Sequence, residues 1–123
     1  MITVLVALAG GLGAAARYVV DTLVPHAGPE RPPRGTTAVN LSGALLAGLL
    51  AGGLSRGLLD PATAVVALSG FCGGYTTFST ASLEAVRLLQ RGRPWRAAGY
   101  VVTSLLGTTA AAVIGVVLAR TLL

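Results

Sequence analysis

Gly70-Phe71-Cys72-Gly73-Gly74-Tyr75-Thr76-Thr77-Phe78-Ser79-Thr80 interrupts a run that is otherwise apolar enough to cross a bilayer. Before it, Ala62 to Ser69 is almost entirely aliphatic; after it, Ala81, Leu83, Val86, Leu88 and Leu89 form an apolar stripe with helical spacing. The stretch itself holds three glycines and five hydroxyl-bearing side chains, a composition that disfavours an unbroken helix. At membrane depth, non-helical backbone survives only where protein covers it or where it lines a wet cavity. Broken helices of this kind mark ion or substrate sites, because their freed amides and carbonyls become ligands. A plainer reading also stands: glycines for close helix packing, and hydroxyls bonded back to their own helix.

Working outward, 54% of the 123 residues are hydrophobic, 11% are charged, and the mean hydropathy is +0.78. A soluble domain carries about a quarter charged residues, so the chain is expected to be a single all-α integral membrane domain. Its abundant Gly and Ala suit helices packed closely in lipid. The net charge of +5 rests on nine arginines and no lysine. With no zinc-finger spacing, RNA-binding aromatic signature or long basic arm, these read as a topology signal, and no nucleic-acid partner is expected. Cys72 is the lone cysteine, which excludes an intrachain disulfide. No basic leader precedes the first apolar segment, which is expected to stay in the folded protein.

Four spans are expected, over about residues 2–23, 36–54, 62–90 and 97–119, with the third broken near 73–77. In the first, Arg17 and Asp21 lie four apart and can pair on one helix face. Arg17 either snorkels to the interface or gives positive potential to the mouth of an anion path. A proline-rich connection follows (Pro25, Pro29, Pro32, Pro33), with His26 expected in solvent. In the second span, Gly48 and Gly52 form a small-xxx-small pair, and Asn40 brings a carboxamide that needs partners at both ends. It either glues helices or offers an amide donor to a passing ion. Glu84 precedes Arg87 by three residues, spacing for a helical ion pair. In the fourth span Tyr100, Ser104 and Thr108 recur every four residues and form a polar stripe.

Loops one and three share one side of the membrane with Arg31, Arg34, Arg87, Arg91, Arg93 and Arg96, and Arg17 lies at its edge; Arg56 and Arg120 lie on the other. That bias predicts both termini outside the cytoplasm. A single copy would leave the polar faces of spans three and four against lipid, so a dimer or larger assembly is expected. No metal-ligand cluster and no nucleophile–base–orienter set appears, so an enzyme is not expected. What remains is an array of neutral donors: Asn40, Thr76, Thr77, Ser79, Thr80, Ser104 and Thr108. Neutral donors suit a small anion that must be desolvated and released quickly, and the Phe78 ring edge can contribute; carbonyls at the break would instead favour a cation. On the residues alone the ion's sign stays open, with the balance towards an anion.

Gly73-Gly74-Tyr75-Thr76-Thr77-Phe78-Ser79-Thr80 resembles the central motif of the Fluc (CrcB) fluoride channels. Gly10-Gly11-Leu12-Gly13-Ala14-Ala15-Ala16-Arg17-Tyr18 and Gly35-Thr36-Thr37-Ala38-Val39-Asn40-Leu41-Ser42-Gly43 resemble its first- and second-helix motifs. The resemblance implies a four-helix subunit in an antiparallel dimer with two fluoride pathways, in a prokaryotic inner (plasma) membrane. It implies Asn40, Phe78, Tyr100, Ser104 and Thr108 along the pore, Thr77, Ser79 and Thr80 supporting the break, and Arg17 and Glu84 towards the vestibules. It also implies a structural sodium ion at the dimer centre, on the backbone carbonyls of Gly73 and Thr76. The family motif commonly continues to a second phenylalanine where this chain has Ala81, which leaves homodimer and heterodimer both open. The rival readings are a small multidrug-type proton-coupled exporter, disfavoured because no acidic side chain lies mid-span, and a purely structural membrane subunit.

Overall fold

The computed structural model describes residues 1–25, 28 and 31–123, and these are all α. Helix α1 is Ile2–Leu23 and α2 is Arg34–Ser55. Helix α3 runs over 61–75, changing from α (Pro61–Val65) to a wide π-helical stretch (Val66–Cys72) and back to an α turn (Gly73–Tyr75). Helix α4 is Phe78–Gln90 and α5 is Pro94–Leu122. There are thus four helices, the third in two pieces. His26 lies outside the described residues.

Helices α1, α2 and α5 are each long and apolar enough to cross a membrane. Neither piece of the third is: the 13 residues of α4 rise about 20 Å against roughly 30 Å of hydrocarbon. Leu8, Leu12, Leu105 and Leu106 are exposed along α1 and α5, as lipid-facing side chains must be.

The ends of the elements follow from local chemistry. Gly57 (φ 74°) and Gly92 (φ 69°) take the left-handed conformation that stops α2 and α4. In each turn the amide that follows the glycine bonds back: Leu58 N–H to Gly53 O at 3.0 Å, and Arg93 N–H to Leu88 O at 2.9 Å. Asp60 then caps α3, its carboxylate accepting from the Ala62 and Thr63 amides at 3.0 Å each, with Pro61 in the first turn. These bonds, that of the Thr63 hydroxyl foremost, hold the Asp60 carboxyl below its ordinary pKa. Glu84 and Arg87 pair at 2.8 Å on exposed helix surface.

Packing is backbone on backbone. Helix α1 lies on α3, where a Cβ on Gly74 would strike the Gly10 carbonyl, and one on Gly13 the Phe71 carbonyl. Helix α2 crosses α5 in the same way, Gly48 against Ala112 and Gly115 against Leu45. Such contacts replace hydrophobic driving force in lipid with dispersion at short range. A small cluster of Ala85, Leu88, Ala97 and Tyr100, with Ala81 at its edge, joins α4 to α5.

Gly74→Val is therefore expected to destabilise the folded chain by about 1–3 kcal/mol through overpacking. Gly99→Ala, where nothing lies within 4 Å, should be neutral or slightly stabilising. Thermal unfolding of the two variants in the same detergent checks the pair; equal midpoints would show that the α1–α3 approach is not tight.

Candidate functional site

The backbone of the third span parts at Thr76 (φ −78°, ψ 161°) and Thr77 (φ −146°, ψ 114°), both extended. Every polar group freed there has to find a partner. The Thr76 amide still closes α3 on the Cys72 carbonyl at 2.9 Å, and its hydroxyl donates to the same oxygen at 2.8 Å. The Thr77 peptide groups are satisfied from another helix. Its N–H donates to Asn40 Oδ1 at 2.8 Å, and its carbonyl accepts from Asn40 Nδ2 at 2.9 Å. Asn40 thus acts as a surrogate peptide unit, with one amide hydrogen left over. The Thr76 carbonyl accepts from Arg17 Nη1 at 3.5 Å. Thr77 Oγ1 caps α4, accepting from the Thr80 amide at 3.2 Å, with the hydroxyls of Thr80 and Ser79 at 3.0 and 3.3 Å.

Beside the break, α2, α3, α4 and α5 enclose three sides of a groove of about 810 Å³. Asn40, Thr76, Thr77, Phe78, Tyr100, Ser104 and Thr108 all line it, with Ala81 in the wall, and no charged side chain does. Phe78, the first residue of α4, is 89% exposed. Tyr100 is 4% exposed, yet its buried hydroxyl makes no well-formed hydrogen bond. Thr108 donates to the Ser104 carbonyl at 2.7 Å, so its hydroxyl must rotate before it can donate into the groove. The groove can therefore solvate a small ion with neutral groups along an apolar wall, and holds no acid or base for chemistry.

A second cavity, about 290 Å³, lies between α1, the start of α2 and the break, lined by Arg17, Tyr18, Asp21, Thr36, Thr77 and Thr80 among others. Thr77 lines both spaces. Arg17 and Asp21 share this cavity but form no ion pair, contrary to the pairing that their spacing permits; the guanidinium is drawn to the Thr76 carbonyl instead. Glu84 lines neither space and is paired with Arg87. Ser79 touches the site only through Thr77.

The expected sodium site on the Gly73 and Thr76 carbonyls is corrected. Among the described residues there is no group of three or more His, Cys, Asp or Glu side chains to hold a metal ion. The Thr76 carbonyl, moreover, already faces a guanidinium, whose positive charge opposes a cation at the same oxygen. Sodium is no part of the site described here.

A family model described as CrcB-like protein, Camphor Resistance (CrcB), matches residues 4–116. The chain belongs to the CrcB family. It is 48% identical over 99 residues, 80% of this chain and 71% of the relative, to "Fluoride-specific ion channel FluC 1" of Leifsonia xyli subsp. xyli. It is 43% identical over 122 residues to "Fluoride-specific ion channel FluC" of Gloeobacter violaceus, covering 98% of this chain and 97% of the relative. The same identity over 122 residues, 98% and 96% of the two chains, relates it to the protein of that name from Chlorobaculum tepidum. With three apolar spanning helices and a third-span break, this CrcB chain is a multi-pass inner-membrane protein.

Two features of the CrcB site were not read from the sequence. One is that Asn40 is committed at both ends to Thr77, and the other is that Arg17 covers Thr76. Both contacts join residues far apart in the chain, and the only signal was that an intramembrane carboxamide and guanidinium each need a partner. Asn40→Ala would strand a donor and an acceptor, costing about 2 kcal/mol or more. The expected outcome is a lowered melting temperature together with faster hydrogen exchange at the Thr77 amide than at neighbouring amides. Unchanged protection of Thr77 would mean that Asn40 does not hold the break.

Proposed function

We propose that this chain is the subunit of a fluoride-selective channel that lets cytoplasmic fluoride leave passively down its gradient, relieving fluoride toxicity. The observation that carries the reading is the gathering of Asn40, Phe78, Tyr100, Ser104 and Thr108 in one uncharged groove beside the break. The relatives' names, fluoride-specific ion channels, give the ion. Hydrogen fluoride crosses membranes and dissociates in neutral cytoplasm, and the trapped anion then needs a path. The protein is a channel and not an enzyme.

The groove performs this by exchange of solvation. A fluoride ion leaving water needs short, strong donors, and must not be held so tightly that it stays. The spare amide hydrogen of Asn40, the unpartnered Tyr100 hydroxyl and the rotatable hydroxyls of Ser104 and Thr108 are neutral donors of that kind. The ring edge of Phe78 presents the positive part of its quadrupole. Thr77, Ser79 and Thr80 keep the break in shape, and Arg17 stands at the vestibule side. A proton-coupled exporter would need a carboxylate in the path, and none lines the groove.

The groove is open on the chain's own surface, and Phe78 lies bare at its rim. A second subunit of opposite orientation closes it in this reading, giving an antiparallel dimer with two pathways. That subunit is a second copy of this chain or a homologue. Ala81 in place of a second ring and the one-sided arginine bias support a homologue.

The assembled channel, purified from this chain alone or with an oppositely oriented homologue, should release fluoride and retain chloride from liposomes loaded with both. Phe78→Ile should slow fluoride efflux by about tenfold, the equivalent of ~1.4 kcal/mol from one ring contact, without loss of assembly. Rapid chloride release would sink the selectivity. Efflux only after an oppositely oriented homologue is co-expressed would identify the dimer as mixed; robust efflux from the chain alone would identify it as a homodimer.

A further inference from the structure

The cavity on the α1 side of the break contains two opposite charges that do not meet. Arg17 and Asp21 are the charged residues lining its roughly 290 Å³. Each lies against a different neighbour. The Arg17 guanidinium reaches inward to the Thr76 carbonyl at 3.5 Å. The Asp21 carboxylate turns the other way, onto Gly35 in the first turn of α2, into the place a Cβ on Gly35 would occupy. That helix starts behind Pro33 with no side-chain cap, so its positive end favours a carboxylate there. A guanidinium one turn before an aspartate on the same helix would ordinarily close on it; here the space between them stays open.

We propose that Asp21 is a counter-charge that sets how readily anions load this cavity. The inference rests on the fluoride-channel reading and adds a residue to it. An anion in the cavity is attracted by Arg17 and repelled by Asp21 at comparable range. The cavity is therefore close to neutral overall, and Arg17 does not become a trap from which the ion leaves slowly. Thr77 lines both spaces, so the charged cavity lies directly beside the uncharged groove. Removing the carboxylate leaves Arg17 unopposed and raises anion entry; removing the guanidinium leaves Asp21 unopposed and lowers it. Asp21 acts here as a rate-setting residue at the mouth, not as a ligand of the dehydrated ion.

The test is fluoride efflux from liposomes at low fluoride, in about 0.01 M and about 1 M salt, where the screening length falls from roughly 30 to 3 Å. Asp21→Asn should raise efflux about threefold to tenfold at low salt, as expected for one charge removed near the path. That gain should vanish at high salt. Arg17→Gln should lower efflux at low salt, and Arg17→Gln with Asp21→Asn should return it towards the wild-type rate. Asp21→Glu, which keeps the charge, should conduct as wild type does; this guards against reading a packing defect as an electrostatic one. Size-exclusion chromatography confirms assembly of each variant. Unchanged or lowered efflux in Asp21→Asn, a salt-independent change, or a double variant no faster than Arg17→Gln would overturn the proposal. Wild-type protein that passes no fluoride, alone or with an oppositely oriented homologue co-expressed, would instead sink the channel reading itself, so the two failures are distinct.

Discussion

The pair of hydrogen bonds between Asn40 and the Thr77 peptide is the constraint from which the rest of this structure follows. A helix interrupted inside a bilayer exposes an amide and a carbonyl where water cannot be counted on to satisfy them, at several kcal/mol for each group. A carboxamide is the side chain that answers both at once, since it presents a donor and an acceptor in the geometry of another peptide. A hydroxyl in its place would satisfy one group well and the other poorly. Because Asn40 sits on α2, the break is also the point where α2 is tied to the third span. The interruption is therefore a fixed joint, not a loose one.

That joint settles the ion's sign more firmly than the residues alone do. An interrupted helix has a negative end, where carbonyls are freed, and a positive end, where amides are freed. Here the two carbonyls of the break itself are engaged: that of Thr76 faces Arg17 and that of Thr77 faces the Asn40 amide. The positive end is the start of α4, and Thr77, Phe78, Ala81 and Ser82 bring its first turns to the groove. Carbonyls in the break that would draw a cation are engaged, and helix-start backbone that favours an anion borders the groove. The glycines make this possible at a distance: Gly10 and Gly13 let α1 lie directly on α3, which is close enough for Arg17 to reach the break.

How far the fold and site could be read from the chain depended on the range of the interactions. The break was legible because glycine and hydroxyl composition acts locally, and a close crossing at Gly48 and Gly52 followed from their spacing, though not that α5 would be the partner. The Glu84–Arg87 pair was legible for the same reason. Arg17 was misread by that logic: its near neighbour in sequence, Asp21, lost to a carbonyl 59 residues away. The double commitment of Asn40 spans 37 residues and leaves no periodic trace. Nor does a seven-residue π-helical stretch announce itself, since nothing in the residues of Val66–Cys72 sets a π-helix apart from an α-helix. The sodium expectation failed because the described residues gather no metal-holding cluster of side chains, and the Thr76 carbonyl it counted on faces a guanidinium.

The same accounting explains why the chain reads as half of a site. Of the groove's donors, the Tyr100 hydroxyl is buried without a partner, and of its apolar groups Phe78 is 89% exposed. A buried hydroxyl without a well-formed bond costs energy, and costs less if a passing ion completes it; a bare ring is at home in lipid and is equally free to meet a second protein surface. Local packing within the chain cannot remove either feature, because Phe78 starts a helix whose cap is fixed by Thr77 and Tyr100 is locked in the α4–α5 cluster. Stability within the subunit and incompleteness of its groove thus come from the same contacts.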